Sequence, residues 1–116
     1  METLLNPLKA LGDESRLCIL WMLEERYLCV CEIQEALGLA QSTVSRHLML
    51  LEEAGFVISE KAGQWKNYRL NPSPAPAVHG LLALVRLCAL TEPEALALRE
   101  RVKTINRENL CGKRVA

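Results

Sequence analysis

Three glycines punctuate the middle of the chain and restrict what it can fold into. Gly38 follows residues 31–37, a stretch long enough for about two helical turns, and suits a C-terminal cap. Gly55 ends a second helical stretch, roughly 42–54, that begins at Gln41 or Ser42. Within it Val44, Leu48 and Leu51 are spaced i, i+4, i+7 and form one apolar stripe. The opposite face carries Ser42, Ser45, Arg46 and Met49, with Thr43 and His47 at its edge. Gly63 lies in Lys61-Ala62-Gly63-Gln64, a turn between two strand-like runs, 56–60 and 66–70. With a helix ahead of them, these elements give the order helix, short helix, turn, helix, hairpin. That is a winged helix-turn-helix, mainly α with one small β-hairpin. In such a unit the second helix of the pair enters the major groove and the hairpin tip reaches the flanking backbone.

The flanking segments fit a single domain over residues 1–116. Residues 1–71 would form a DNA-reading core and wing, and 72–116 C-terminal helices for dimerisation with a polar tail. Leu4, Leu8 and Leu11 fall at helical spacing. Gly12 then stops that helix, and Asp13 caps a second one that runs to about Glu24 and buries Leu17, Leu20 and Trp21. Pro72, Pro74 and Pro76 interrupt regular structure before a stretch, 77–90, that is apolar on nearly every side. A helix of that kind must be buried, and Cys88 within it reads as packing. Thr91-Glu92-Pro93-Glu94 resembles a capping box that opens a last helix, ending near Asn109.

Charge narrows the function. Fourteen Lys and Arg balance fourteen Asp and Glu, which excludes a broadly basic coat but not a local basic surface. The basic groups of residues 41–71 are Arg46 in the helix and Lys61, Lys66 and Arg69 in the hairpin, where a DNA reader needs them. Candidate DNA contacts are Gln41, Ser42, Thr43, Ser45, Arg46 and His47, with Lys61, Gln64 and Lys66 of the wing. Hydroxyls and amides bond base edges or phosphates, and a guanidinium can grip guanine or a phosphate. An ordinary solvated helix face would look similar, and it is the basic hairpin that favours DNA. A winged-helix module that binds protein instead of DNA is the competing use of the fold. No run of about 18 apolar residues spans a membrane, and the N-terminus lacks an export signal, so a cytoplasmic protein is expected. No Ser-His-Asp set, phosphate loop or catalytic carboxylate pair is present, so no enzyme is expected. Cys-Val-Cys lacks the spacing of a Cys-x-x-Cys oxidoreductase, and no βαβ pattern accompanies it.

Residues 37–48, from Leu37-Gly38-Leu39-Ala40-Gln41-Ser42 onward, and 51–57, Leu51-Glu52-Glu53-Ala54-Gly55-Phe56-Val57, closely resemble the ArsR/SmtB family of bacterial metalloregulatory repressors. So do Lys9-Ala10-Leu11-Gly12-Asp13-Glu14-Ser15-Arg16-Leu17 and the wing from Lys61 to Leu70. The resemblance implies a homodimer on palindromic double-stranded operator DNA. It implies release when a metal or metalloid binds, and a dimer interface built from the first and C-terminal helices.

Tyr27-Leu28-Cys29-Val30-Cys31-Glu32 resembles the thiol motif of the family's arsenic-sensing branch, Glu-Leu-Cys-Val-Cys-Asp. The third cysteine of that motif would fall at Gln34. Arsenite or antimonite is therefore the expected inducer, with no other cofactor required, since thiolates select soft ions. Cys29 and Cys31 are the expected ligands. Cys111 is the candidate third, with Cys18 and Cys88 behind it. The alternatives are a thiol redox switch and a cadmium or zinc sensor. The His and carboxylate sites that other family members carry on C-terminal helices are disfavoured, because His79 is the only histidine there and no Asp follows Asp13. Residues two apart on a helix diverge by about 200°. Cys29 and Cys31 therefore converge only if the helix start frays, and a helix N-terminus is expected to lower their thiol pKa.

Overall fold

A computed structural model of the chain describes residues 1–108 and 110. Six helices and a hairpin follow in the order α1 (Glu2–Leu11), α2 (Glu14–Leu23), α3 (Val30–Leu37), α4 (Gln41–Glu53), β1 (Val57–Ala62), β2 (Trp65–Leu70), α5 (Pro76–Cys88) and α6 (Pro93–Thr104). This is the mainly helical winged helix-turn-helix expected from the sequence.

The local signals act as their chemistry dictates. The Asp13 carboxylate accepts the Arg16 N–H at 3.2 Å and caps α2. Gly38 ends α3 with φ 69°, a left-handed conformation that any Cβ would strain. The antiparallel hairpin pairs Val57 with Leu70 at its base and Ala62 with Trp65 at its tip, and Gly63 turns with φ 63°.

α2 lies at the centre. Ile19, Leu20, Trp21, Met22 and Leu23 are consecutive and all buried, which requires neighbours on every side. α1, α4, α5, α6 and β2 supply them. Leu17, expected in the core, is half-buried. Val44, Leu48 and Leu51 of α4 join Ile33 of α3 and Phe56 in the same core, each with no exposed surface. Trp21 Nε1 donates to the Val85 carbonyl at 3.0 Å and ties α5 to α2. We predict that Phe56→Ala destabilises the domain by about 3–5 kcal/mol. Urea unfolding should show a lower midpoint with an unchanged slope.

Two expectations fail. The stretch expected to be buried all round buries only one face of α5, at Val78, Leu82 and Val85. Leu84, Leu87 and Leu90 are 55%, 63% and 65% exposed, and Cys88 is exposed as well. Leu4, Leu5 and Leu8 of α1 are also exposed, and α1 packs beside α5. The apolar surplus is real, but this chain's own core takes up only one face of it. The capping box at Thr91 does not form either. α6 starts at Pro93 behind Glu92 with no side-chain cap, while the Thr91 hydroxyl turns back to the Cys88 carbonyl.

Candidate nucleic-acid interface and thiol site

α4 docks by its apolar stripe and leaves Gln41, Ser42, Thr43, Ser45 and Arg46 exposed. Ala40 at its N-cap offers no side-chain acceptor. The first amides of α4 thus keep their donors for solvent or a phosphate. His47 has a different setting. Its Nδ1 lies 3.1 Å from an Arg16 guanidinium nitrogen and its Nε2 4.0 Å from Asp13 Oδ1. A guanidinium only donates, so Nδ1 accepts and the ring proton sits on Nε2. Arg16 Nε also donates to the Ala10 carbonyl at 2.6 Å. His47 and Arg16 therefore fasten α4 to the α1–α2 junction. Burial pushes the Asp13 carboxyl pKa up, but the Arg16 N–H, the Arg16 guanidinium and the Ser15 N–H together hold it below its ordinary value.

The wing presents Lys61, Gln64 and Lys66 exposed. Lys61 and Lys66 are direct cross-strand partners. Like charges so placed disfavour a hairpin on its own, and an anion between them reverses that. Arg69, by contrast, is neutralised by Glu60 at 2.8 Å. We predict that Arg46→Ala weakens operator binding by about 1–3 kcal/mol and that removing a phosphate contact flattens the salt slope by about one unit. Fluorescence anisotropy over a salt series measures both.

The thiol pair straddles the start of α3. Cys29 is its N-cap, extended at φ −95°, ψ 171°, and Cys31 is the second helical residue. Cys29 is buried and Cys31 half-buried. Cys29 and Glu32 form a capping box. The Cys29 sulfur accepts the Glu32 N–H, and Glu32 Oε1 accepts the Cys29 N–H at 2.9 Å. The spacing matches the Ser/Thr-x-x-Glu signature with sulfur in place of oxygen, a signal that the sequence carries. Glu32 is 1% exposed and is held by two guanidiniums, Arg26 at 2.8 Å and Arg107 at 3.1 Å. Arg26 also donates to the Val102 and Ile105 carbonyls at the end of α6.

Burial pushes the Cys29 thiol pKa up. The Glu32 N–H opposes this, and the Glu32 carboxylate adds to it. The expectation that the helix start leaves this thiol acidified is thus reversed. Cys31 takes part in a disulfide, so thiolate chemistry there belongs to the reduced protein. Cys111, the candidate third ligand, lies outside the described residues. Cys18 is half-buried, its pKa raised first by burial and then by Glu14 and Glu94. Among the described residues no three His, Cys, Asp or Glu side chains gather to hold an ion. Gln34, where the motif's third cysteine would fall, has a buried side-chain oxygen with no hydrogen-bond partner.

The thiol site is connected to both the wing and α4. Leu28, next to Cys29, exchanges two backbone hydrogen bonds with Tyr68 of β2, at 3.0 and 2.8 Å. α3 in turn packs on α4.

The family described as bacterial regulatory protein, arsR family, matches residues 13–59. The arsenical resistance operon repressor of Escherichia coli is 48% identical over 65 residues, covering 55% of this chain and 56% of that protein. The protein of the same name in Bacillus subtilis is 38% identical over 81 residues, covering 69% and 74%. Among solved structures, a homodimeric winged helix-turn-helix domain from Mycobacterium bovis, titled a possible ArsR-family transcriptional regulator, superimposes with a TM-score of 0.65 at 29% identity. It covers 79% of this chain and 82% of that one. These descriptions are of transcriptional regulators, and none is of an enzyme. The chain belongs to the ArsR family of bacterial regulatory proteins.

Proposed function

We propose that the chain is a homodimeric repressor that holds operator DNA with α4 and the wing and releases it when trivalent arsenic or antimony binds at Cys29 and Cys31. The observation that carries this reading is the place of Cys29. It caps the helix that packs on α4, and it adjoins the residue that is bonded to the wing. Gln41, Ser42, Thr43, Ser45 and Arg46, with Lys61, Gln64 and Lys66, supply the DNA contacts. His47 acts from within by fixing the helix. The homodimeric relative and the exposed leucines of α1 and α5 support a dimer.

The chemistry suits neutral thiols. Arsenous acid and two S–H groups form two As–S bonds and release two waters, so no net proton is freed and a raised thiol pKa does not oppose it. A pyramidal dithiolate needs the sulfurs on one side of the ion. Cys29 must then leave its capping position, and α3 loses its cap. The ligand binds the DNA-incompetent form better, and DNA weakens ligand binding reciprocally.

The disulfide at Cys31 favours a second reading, a thiol redox switch on the same fold. Operator release should be measured against arsenite, antimonite, cadmium, zinc and peroxide. The proposal expects arsenite and antimonite to act on fully reduced protein. Release by peroxide alone supports the redox switch. Release by cadmium or zinc that strengthens as pH rises marks a divalent-metal sensor, because those ions displace protons from thiols.

A further inference from the structure

Arg107 follows α6 in sequence, yet its guanidinium reaches three separate parts of the fold. It donates to Glu32 Oε1, the oxygen that also accepts the Cys29 N–H. It lies 5.5 Å from the Tyr27 ring centroid and 5.1 Å from that of Trp65, the first residue of β2. Its side chain is only 15% exposed, and a desolvated cation over aromatic faces is held more strongly than one in water. An open cleft of about 570 Å³ borders Arg107, Glu32 and Tyr27. Among the hydrogen bonds, ion pairs and cation–ring contacts of the described residues, no other side chain joins the carboxylate that caps Cys29 to the tip of the wing.

We propose that Arg107 is a positioning residue that latches the wing to the thiol site. In the latched state Glu32 orients the guanidinium, which holds Trp65 and keeps the wing tip in its DNA-binding pose. When Cys29 leaves its capping position, Glu32 loses the Cys29 amide and its carboxylate is free to turn. Arg107 turns with it and Trp65 is released. The Leu28–Tyr68 pairing moves the base of the wing, and the latch moves its tip. The timing of this release rests on the metalloid reading above. The latch itself does not.

The test uses Arg107→Gln in the full-length reduced protein, with iodide quenching of tryptophan and affinity for a duplex that the parent selects from a random pool. Trp21 is buried, so iodide reports on Trp65. In the parent, arsenite should raise quenching. In R107Q, quenching should already be high without arsenite, and duplex affinity should fall by about tenfold. Arsenite stoichiometry should stay parental, because the thiols are untouched. Arg107→Lys keeps the charge but not the planar fork and should restore part of both effects. Parental quenching and parental affinity in R107Q would overturn the latch. A parent that ignores arsenite would sink the metalloid reading alone, since the R107Q comparison needs no arsenite.

Discussion

Cys29→Ser should strongly weaken the proposed arsenite-driven release of operator DNA while the protein remains folded and bound to its operator. Serine is a better N-cap than cysteine, so the reciprocal contact with Glu32 survives and α3 keeps its start. What disappears is the soft ligand, which an alcohol does not replace for a metalloid. The arsenite needed for half-release should rise on the order of 100-fold or more, about 2.7 kcal/mol of lost ligand affinity. Fluorescence anisotropy of a labelled operator measures it. Full response in C29S would remove Cys29 from the sensing chemistry. Glu32→Gln makes a useful companion, because it keeps the shape of the cap while leaving two guanidiniums without their carboxylate.

Leu87→Glu should separate the dimer and nearly eliminate operator binding. Leu87 is 63% exposed in the single chain, so the charge meets water there and the fold should persist. In the proposed dimer the same charge is forced into an apolar interface, where burial of an unpaired carboxylate is strongly unfavourable. A palindromic operator binds two reading heads at once. Unlinking them forfeits an effective-concentration gain of about 10²–10⁴ in affinity. Sedimentation should give a mass near 13 kDa, and circular dichroism should be unchanged. A dimeric L87E that binds DNA normally would move the interface away from α5.

Much of this was legible in the sequence because it is local. Asp13, Gly38 and the 44/48/51 stripe act within their own turns, where capping and periodicity rules hold. The hairpin was legible for the same reason, since Gly63 and the flanking strand-like runs are contiguous. α5 was misjudged because an all-round apolar helix must be covered, but its sequence does not say by what. One face meets α1 and α2, and the other stays open. His47 lies at the edge of the stripe, and its direction is set by Arg16, 31 residues away. The site splits in the same way. The Cys-Val-Cys motif was readable, whereas the environment of Cys29 was not. A helix start lowers a thiol pKa in isolation, but here burial and the Glu32 carboxylate outweigh it. Glu32 is three residues from Cys29, and Arg107, which helps hold it, is 75 residues from Glu32. The Cys29–Glu32 spacing is a local capping signal, but no local pattern joins either residue to Arg107.

The proposed function requires that thiol occupancy and DNA occupancy oppose one another in one molecule. The most direct test is calorimetric titration of arsenite into the reduced free protein and into its operator complex. Linkage requires that arsenite bind the complex more weakly, by the same factor by which arsenite weakens operator binding. A matched pair of factors well above one is the predicted result. Equal arsenite affinity with and without DNA would contradict the account, however tightly the metalloid binds.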